Sequence, residues 1–334
     1  CGFTLNLPGR IKMNTKRIRR SNALEYEFDF RHKPKLNVSE GESFVIETED
    51  VGSGFVRSIA DAANLENFPT RKFSPPKSNP VGGPVFIEGV ESGDLLEVTI
   101  EKIIVDDQGF TNIRPGVGPL GDSYKWKSVR GPIVNIIKHQ PGPSGTTSDG
   151  KGFLNDKVSW DLKPMIGTIA TAPEREVETS AMGQGPWGGN LDVRDMKEKT
   201  KCYLNCYHKG GLLYVGDVHG SQGDTEFYGT ADETRAEVTL SCKIIKNKRI
   251  PFVRLEKEES IISLYSYRPL ENAVEFAMVN LMEWMVAEYS VEERDAYMHM
   301  CLNPDFRVNV YQMVRLGNLE YTVGAEIPKK YLNC

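Results

Sequence analysis

The segment Gly216-Asp217-Val218-His219-Gly220-Ser221-Gln222-Gly223-Asp224-Thr225-Glu226 constrains this chain more than any other. It places three carboxylates, one imidazole and three glycines in eleven residues, directly after the apolar run Gly211-Leu212-Leu213-Tyr214-Val215. That run reads as a buried strand. Side chains two apart on a strand share a face, so Asp217 and His219 point the same way. The glycines then allow a sharp turn. Residues 225–229 read as the returning strand, which would carry Glu226 back toward His219. Mixed oxygen and nitrogen donors focused on one spot are what a divalent metal requires. A Gly/Asp-rich stretch taken alone is more often only a hairpin turn.

Short apolar stretches punctuated by turn residues recur through the first three quarters of the chain. Residues 43–49, 85–88, 95–105, 166–170, 201–207, 212–215 and 237–246 read as strands, and 89–94 supplies turn residues between two of them. Pro and Gly are dense in 75–84 and 114–121, and the Gly/Pro/Ser/Thr stretch 139–152 reads as an exposed loop. That loop holds a near miss for a phosphate-binding loop, Gly145 to Gly152. The closing Ser or Thr and the following apolar helix are both missing, so a nucleotide role is set aside. The character changes near Ile250. Asn272 reads as an N-cap, and Phe276, Ala277, Val279, Met282, Trp284, Met285 and Val286 suit a mostly buried helix ending near Tyr289. Ser290 with Glu293 reads as a capping box opening a second helix. The expected fold is mainly β, a β-sandwich or jelly-roll-like part plus a second β-domain, with a smaller α+β C-terminal part. The expected divisions are a basic arm (1–21), an N-terminal β-sandwich region (22–165), a second β region with the site motifs (166–250) and the α+β region (251–334).

A chain of 334 residues has room for two or three domains and a sizeable core. Its 39% apolar and 26% charged residues suit a soluble globular protein. The net charge of −5, with both signs interspersed, lacks the clustered basic face of a nucleic-acid binder. The one basic cluster, Lys12, Lys16, Arg17, Arg19 and Arg20, reads as a solvated arm. No apolar run reaches membrane-spanning length, and Cys1-Gly2-Phe3-Thr4-Leu5 does not read as a signal peptide. The six cysteines fit no zinc-ribbon or disulfide framework. Cys202 and Cys206 would share a strand face too far apart to bridge. They read as buried thiols in a reducing compartment, which makes the expected location cytoplasmic. Cys1 leaves a processed or exported form open.

A second Gly-rich segment, Gly183 to Asp192, ends in polar residues and runs on through Gly188-Gly189-Asn190-Leu191-Asp192-Val193-Arg194-Asp195. Together with GGPVFIEGVESGDLLEV (82–98), GDVHGSQGDTE (216–226), VEERDAYMHMCLNPDFRVNV (291–310) and VGAEIPK (323–329), it resembles the acetamidase/formamidase family. The pieces keep the family's order from about residue 40 onward. The basic arm and the 139–152 loop have no counterpart, and Thr225 stands where the family more often has Gly, which puts substrate choice in doubt.

The resemblance implies hydrolysis of a small aliphatic amide to a carboxylate and ammonia. It points to Asn190, Asp192, Asp217, His219, Gln222, Asp224 and Glu226 as the active region. Amide hydrolysis needs an activated water, a stabilised oxyanion and a protonated leaving amine. A divalent metal, zinc foremost and calcium as the alternative, supplies the first two. The expected metal set is His219 and Asp192 with Glu226 or Asp217. The expected catalytic residues are Glu226, as proton carrier, His219 and Asp217, and Asn190, Gln222 and Asp224 are expected to bind substrate. Carboxylates not used this way would orient the imidazole. By resemblance the partners are a small amide and further copies of the chain, as a dimer.

Other chemistries fit less well. A Ser221–His219 dyad is set aside, since Ser221 falls in the glycine turn after the strand, and no Gly-x-Ser-x-Gly elbow is present. His32, His139, His208 and His299 read as surface or satisfied core residues, and Trp187 as a pocket wall or plain packing. A cupin-like metal site remains a rival reading. It would need a second His-bearing strand after Glu226, where only His299 is found, on an expected helix. A non-catalytic binding module on the same scaffold is the third reading.

Overall fold

The computed structural model describes residues 15–61, 72–74 and 77–332. Cys1, Lys12, Cys334 and part of the Pro-rich 75–84 stretch lie outside them. Among the described residues eighteen strands join one mostly antiparallel sheet system, and Glu27–Phe28 pairs separately with Glu178–Thr179. Its spine is the pairing of the long strands Leu95–Ile113 and Glu233–Ile245. Leu95–Ile113 also pairs with Lys201–Asn205 and Ile133–Gln140, and Glu233–Ile245 with Phe44–Thr48. The sheet therefore runs across the boundary at residue 165. The mainly β class with an α+β end matches the sequence expectation.

Alternation sets which face each strand buries, and bulges reset it. Val98, Ile100, Ile103 and Val105 all face the core, although Ile100 and Ile103 are three apart. The pairing shifts there: Leu240 opposes Ile100 while Thr239 opposes Lys102, leaving one extra residue in the long strand. A bulge of this kind turns the following side chains to the other face. A second shift lies between Thr234 and Ala236, beside the site.

The C-terminal part is a second core. Strands Ser260–Tyr267 and Tyr321–Pro328 pair along their whole length. Helix α1 (Leu270–Tyr289) lays Ala273, Ala277, Leu281, Trp284 and Met285 on Ile261, Val323, Ala325 and Ile327. That is one helical stripe rather than burial all round, and Val279 is exposed.

Several local expectations are corrected. Helix α1 starts after Pro269, whose fixed φ suits a helix entry, and not at an Asn272 cap. Ser290 closes α1 in the left-handed conformation (φ 53°) instead of capping α2 (Glu293–Leu302). Part of the basic cluster is docked. Arg17–Ile18 pairs in parallel with Val45–Ile46, and Lys16, Arg17 and Arg19 reach Glu42 and Glu47. Cys202, Cys206 and Cys242 are buried thiols, and burial pushes the Cys206 thiol up to about 12. Cys301 is exposed. Residues 225–229 form turns, not a strand; the chain returns only at Glu233.

Candidate active site

The strand Leu213–His219 is buried throughout and is flanked by Met165–Ala170 and Val81–Ile87. At its end His219 meets Glu233, the first residue of the return strand, as a register partner. Asp217 and His219 do share a face: His219 Nε2 lies 3.6 Å from Asp217 Oδ1 and 3.3 Å from Glu233 Oε2. The Gly-rich segment 188–195 arrives from the other side. Leu191 and Asp192 both donate their backbone N–H to Gly167 O (3.0 Å each). Asp192, His219 and Glu226 then each offer a ligand atom within 4.8 Å of the others, and so do Asp217, His219 and Glu233. The two chain regions singled out in the sequence thus converge on one imidazole.

The backbone is strained where they meet. Asp192 (φ 50°), Asp217 (φ 53°) and Glu226 (φ 41°) all sit in the left-handed region, which costs a non-glycine residue roughly 1–3 kcal/mol. Gly167 shows how tight the packing is. A Cβ there would lie 2.8 Å from Asp192 Oδ1 and 2.9 Å from Asp217 Oδ2.

The electrostatics favour positive charge at this spot. Burial raises the Asp192 carboxyl well above its ordinary value, and the charges of Glu226 and Asp217 add to it. Burial also pushes Glu226 up to about 8 and raises Glu233. Burial works against a charged His219, but Glu233 and Asp217 outweigh it and hold the imidazole well above its ordinary pKa. A field that favours a proton at Nε2 favours a metal ion at the same atom. Asp192 Oδ1, His219 Nε2 and Glu233 Oε2 are buried without a hydrogen-bond partner among the described residues. Buried ionisable groups are normally paired or coordinate metals, so this donor set fits a divalent cation. A looser trio, Glu27, Asp29 and His32, differs, because Arg31 already grips Asp29 at 2.6 Å.

The polar residues expected to bind substrate have partners within the protein. Gln222 Nε2 donates to Asp192 O (2.6 Å) and Tyr311 O (3.0 Å), so its Oε1 accepts from His219 Nδ1 (3.0 Å). That commits Nδ1 to a proton and leaves Nε2, facing the carboxylates, as the nitrogen at which a metal would replace a proton. Asn190 lines the cleft, but its Nδ2 donates to Ala181 O (3.0 Å) and its Oδ1 accepts from Thr168 Oγ1 (2.9 Å). Asp224 pairs with Arg194 at 3.0 Å on the exposed side of the loop and does not line the cleft. Trp187 packs on Phe28 (5.3 Å) and is likewise absent from the cleft wall. His299 bonds Asn303 on α2 and packs against Tyr331, so it does not supply the downstream ligand of a cupin-like site.

The cleft has a cavity volume of about 90 Å³. One water needs about 10–15 Å³ by the same measure, so the space admits a ligand of a few non-hydrogen atoms. Asn79, Asn190, Asp192, Asp217, Glu226 and Glu233 belong to its polar lining together with the cations Lys77 and Arg114, and Val56, Phe110, Val314 and Leu319 belong to its apolar lining. Sequence reasoning missed Glu233, Thr168, Gly167 and Asn79. Asn79 Nδ2 donates to Thr168 Oγ1 (3.0 Å) and Ser180 O (3.1 Å), and its Oδ1 is buried without a partner among the described residues.

The profile of the Acetamidase/Formamidase family matches residues 28–185 and 181–323. This chain belongs to that family. A Bacillus halodurans acetamidase structure superposes with a TM-score of 0.81 at 27% identity, covering 94% of this chain and 98% of that one. A Yersinia enterocolitica acetamidase structure gives 0.82 at 30% identity, with 97% and 94% covered. Against a Methylophilus methylotrophus formamidase the identity is 27% over 232 residues, 57% of this chain and 56% of that protein. A Schizosaccharomyces pombe relative is matched over 61% of its length. The chain thus spans about three fifths of the curated family members it matches.

Proposed function

We propose that this protein is a metal-dependent amidohydrolase acting on small aliphatic amides of the formamide and acetamide type. Two buried acidic trios that share His219, Asp192/His219/Glu226 and Asp217/His219/Glu233, beside a cleft with room for a few heavy atoms, carry the reading, and Asp192, His219 and Glu233 each keep a ligand atom without a hydrogen-bond partner among the described residues. Membership of the acetamidase/formamidase family supports it.

His219 Nε2, Asp192 and Glu233 would hold the cation, with Asp217 kept in reach by Thr168 Oγ1 (3.2 Å). A bound dication such as zinc supplies acidity to water and positive charge to a developing oxyanion. Glu226 comes from a separate turn, and burial holds it near pH 8, the range suited to taking a proton from water and returning it to the leaving amine. Asn79 Oδ1 accepts an N–H of the substrate, a bond that an amide makes and an ester cannot. Gln222 and Asn190 position His219 and Thr168 and do not bind substrate.

The test is ammonia release from formamide and acetamide by purified protein, before and after chelation, with the metal content measured alongside. Turnover lost on chelation and restored by zinc is expected. Turnover that survives complete metal removal overturns the metal-dependent mechanism, and no ammonia from any short amide at full metal loading overturns the activity.

A further inference from the structure

Behind the ligands lies a buried ion pair with no part in the chemistry above. His139 Nε2 is 3.0 Å from Asp232 Oδ2, and both side chains are almost fully buried. His139 Nδ1 donates to Asp106 O at 2.8 Å, in the stretch where the long strand's pairing is broken by a bulge. With an acceptor at each nitrogen, the ring is a doubly protonated imidazolium.

Asp232 is wedged as well as paired. A Cβ at Gly220 would lie 2.6 Å from Asp232 Oδ2 and 3.2 Å from His139 Cε1, and one at Gly109 would overlap Asp232 Oδ1. The carboxylate fills the side-chain space of two glycines, Gly109 on the strand Leu95–Ile113 and Gly220 just past the strand Leu213–His219. Gly220 follows His219, and Asp232 precedes Glu233. Their backbones are joined by Gly220 N–H to Asp232 O (2.8 Å) and Asp232 N–H to Ser221 O (3.2 Å). His219 opposite Glu233 is the only strand pair that the two strands share among the described residues.

We infer that the His139–Asp232 pair is a latch that positions the site: it clamps Gly220 to Asp232, fixing His219 against Glu233 and closing both ends of the 221–231 loop that carries Glu226. The inference rests on the proposed metal site, and its chemical content is preorganisation. Two ligands from different strands bind a cation tightly only if their separation is set beforehand. The loop's middle has its own anchor, since Thr225 N–H donates to Val310 O and Met313 N–H to Thr225 O (2.8 Å each). The latch therefore governs the two ends.

The experiment is zinc titration of metal-stripped protein, by calorimetry or competition with a chromophoric chelator, for wild type, His139→Leu, His139→Gln and Asp232→Asn. Outer partners of metal ligands typically change affinity about 10–100-fold. His139→Leu is expected to weaken zinc by about that factor and to lower kcat at saturating zinc more than it raises KM. His139→Gln, which keeps one donor toward Asp232, is expected to recover most of the loss. If His139→Leu does not fold, His139→Gln and Asp232→Asn carry the test with a weakening of about threefold or more. A drop in melting temperature with unchanged zinc affinity in every folded variant would show a merely structural pair and overturn the latch. Wild-type protein that binds no zinc would instead sink the metal reading and the latch with it, while leaving a metal-free amidase open.

Discussion

Asp192 and Asp195 lie three residues apart in one Gly-rich segment, both buried, and their surroundings are opposite. Asp195 has a full set of partners. Lys257 is 3.1 Å and Lys197 3.7 Å away, and Tyr311 donates its hydroxyl at 2.8 Å. Those cations and the tyrosine outweigh burial and hold the Asp195 carboxyl below its ordinary range. Asp192 has two other carboxylates, Glu226 and Asp217, for company, an oxygen with no hydrogen-bond partner among the described residues, and a raised pKa. A compensated buried carboxylate is part of the scaffold. An uncompensated one persists only if something else completes it, and the backbone strain at Asp192, Asp217 and Glu226 marks the same place. The two are also linked, because Tyr311 bonds Asp195 through its hydroxyl and receives Gln222 at its carbonyl, and Gln222 orients His219.

The comparison breaks most decisively at His219, the residue common to both acidic trios. His219→Ala is expected to remove the bound metal and lower kcat/KM by about a thousandfold or more, measured as ammonia release with parallel metal analysis. Normal turnover would mean that Asp192 is uncompensated for some other reason. Glu226→Gln separates base from ligand. The expectation is retained metal with kcat down about 10²–10⁴-fold, whereas loss of the metal would move Glu226 into the ligand set. Gly167→Ala introduces a methyl group against Asp192 and Asp217 without touching Asp195. It is expected to cost about 1–3 kcal/mol of stability in a denaturant melt, with turnover reduced about tenfold to a hundredfold. Asp195→Asn should do the reverse, costing about 1–3 kcal/mol by leaving Lys257 less well paired while the folded enzyme keeps its metal.

How much of this could be read beforehand follows from local geometry. Asp217 and His219 were legible because two residues on a buried strand share a face whatever the rest of the fold does. The meeting of 188–195 with 216–226 was legible only through the family's ordered motifs, since no periodicity states which loops touch. Glu233 was hidden by the bulge. Simple alternation groups it with the partly exposed Arg235 and Glu237, whereas it is buried at the strand's end opposite His219, beside a partner strand that carries two extra residues between Val105 and Gly109. Gln222 looked like a substrate ligand because its type suits one; its actual partners are two backbone carbonyls brought from residues 192 and 311. Thr225 stands at φ 73°, a conformation that glycine adopts more readily, and this explains why 225–229 turns instead of extending.

The smallest effect is the most direct reading of the contrast, because the two kinds of carboxylate carry opposite signs in the pH dependence of stability. In metal-free protein Glu226 titrates near 8 when folded, against an ordinary value of 4.5. Between those values the folded state holds a proton that the unfolded state has released, so stability falls as pH rises through the window. The slope is about 1.4 kcal/mol per pH unit for one such proton. Asp195, held below its ordinary 3.8, contributes stability that is present above that pH and is lost as acid protonates it in the folded state. Urea melts of chelated protein from pH 3 to 8 should therefore show a maximum near the lower end of the Glu226 window. Glu226→Gln should make the alkaline limb shallower, the raised Asp192, Glu233 and Asp50 carboxyls keeping part of it, Asp195→Asn should flatten the acid limb, and zinc should reduce the alkaline fall in wild type by supplying the charge that the cluster lacks. An alkaline limb that is unchanged by both Glu226→Gln and zinc would mean that the acidic cluster is not the seat of the imbalance, and the distinction between Asp192 and Asp195 would then have no thermodynamic content.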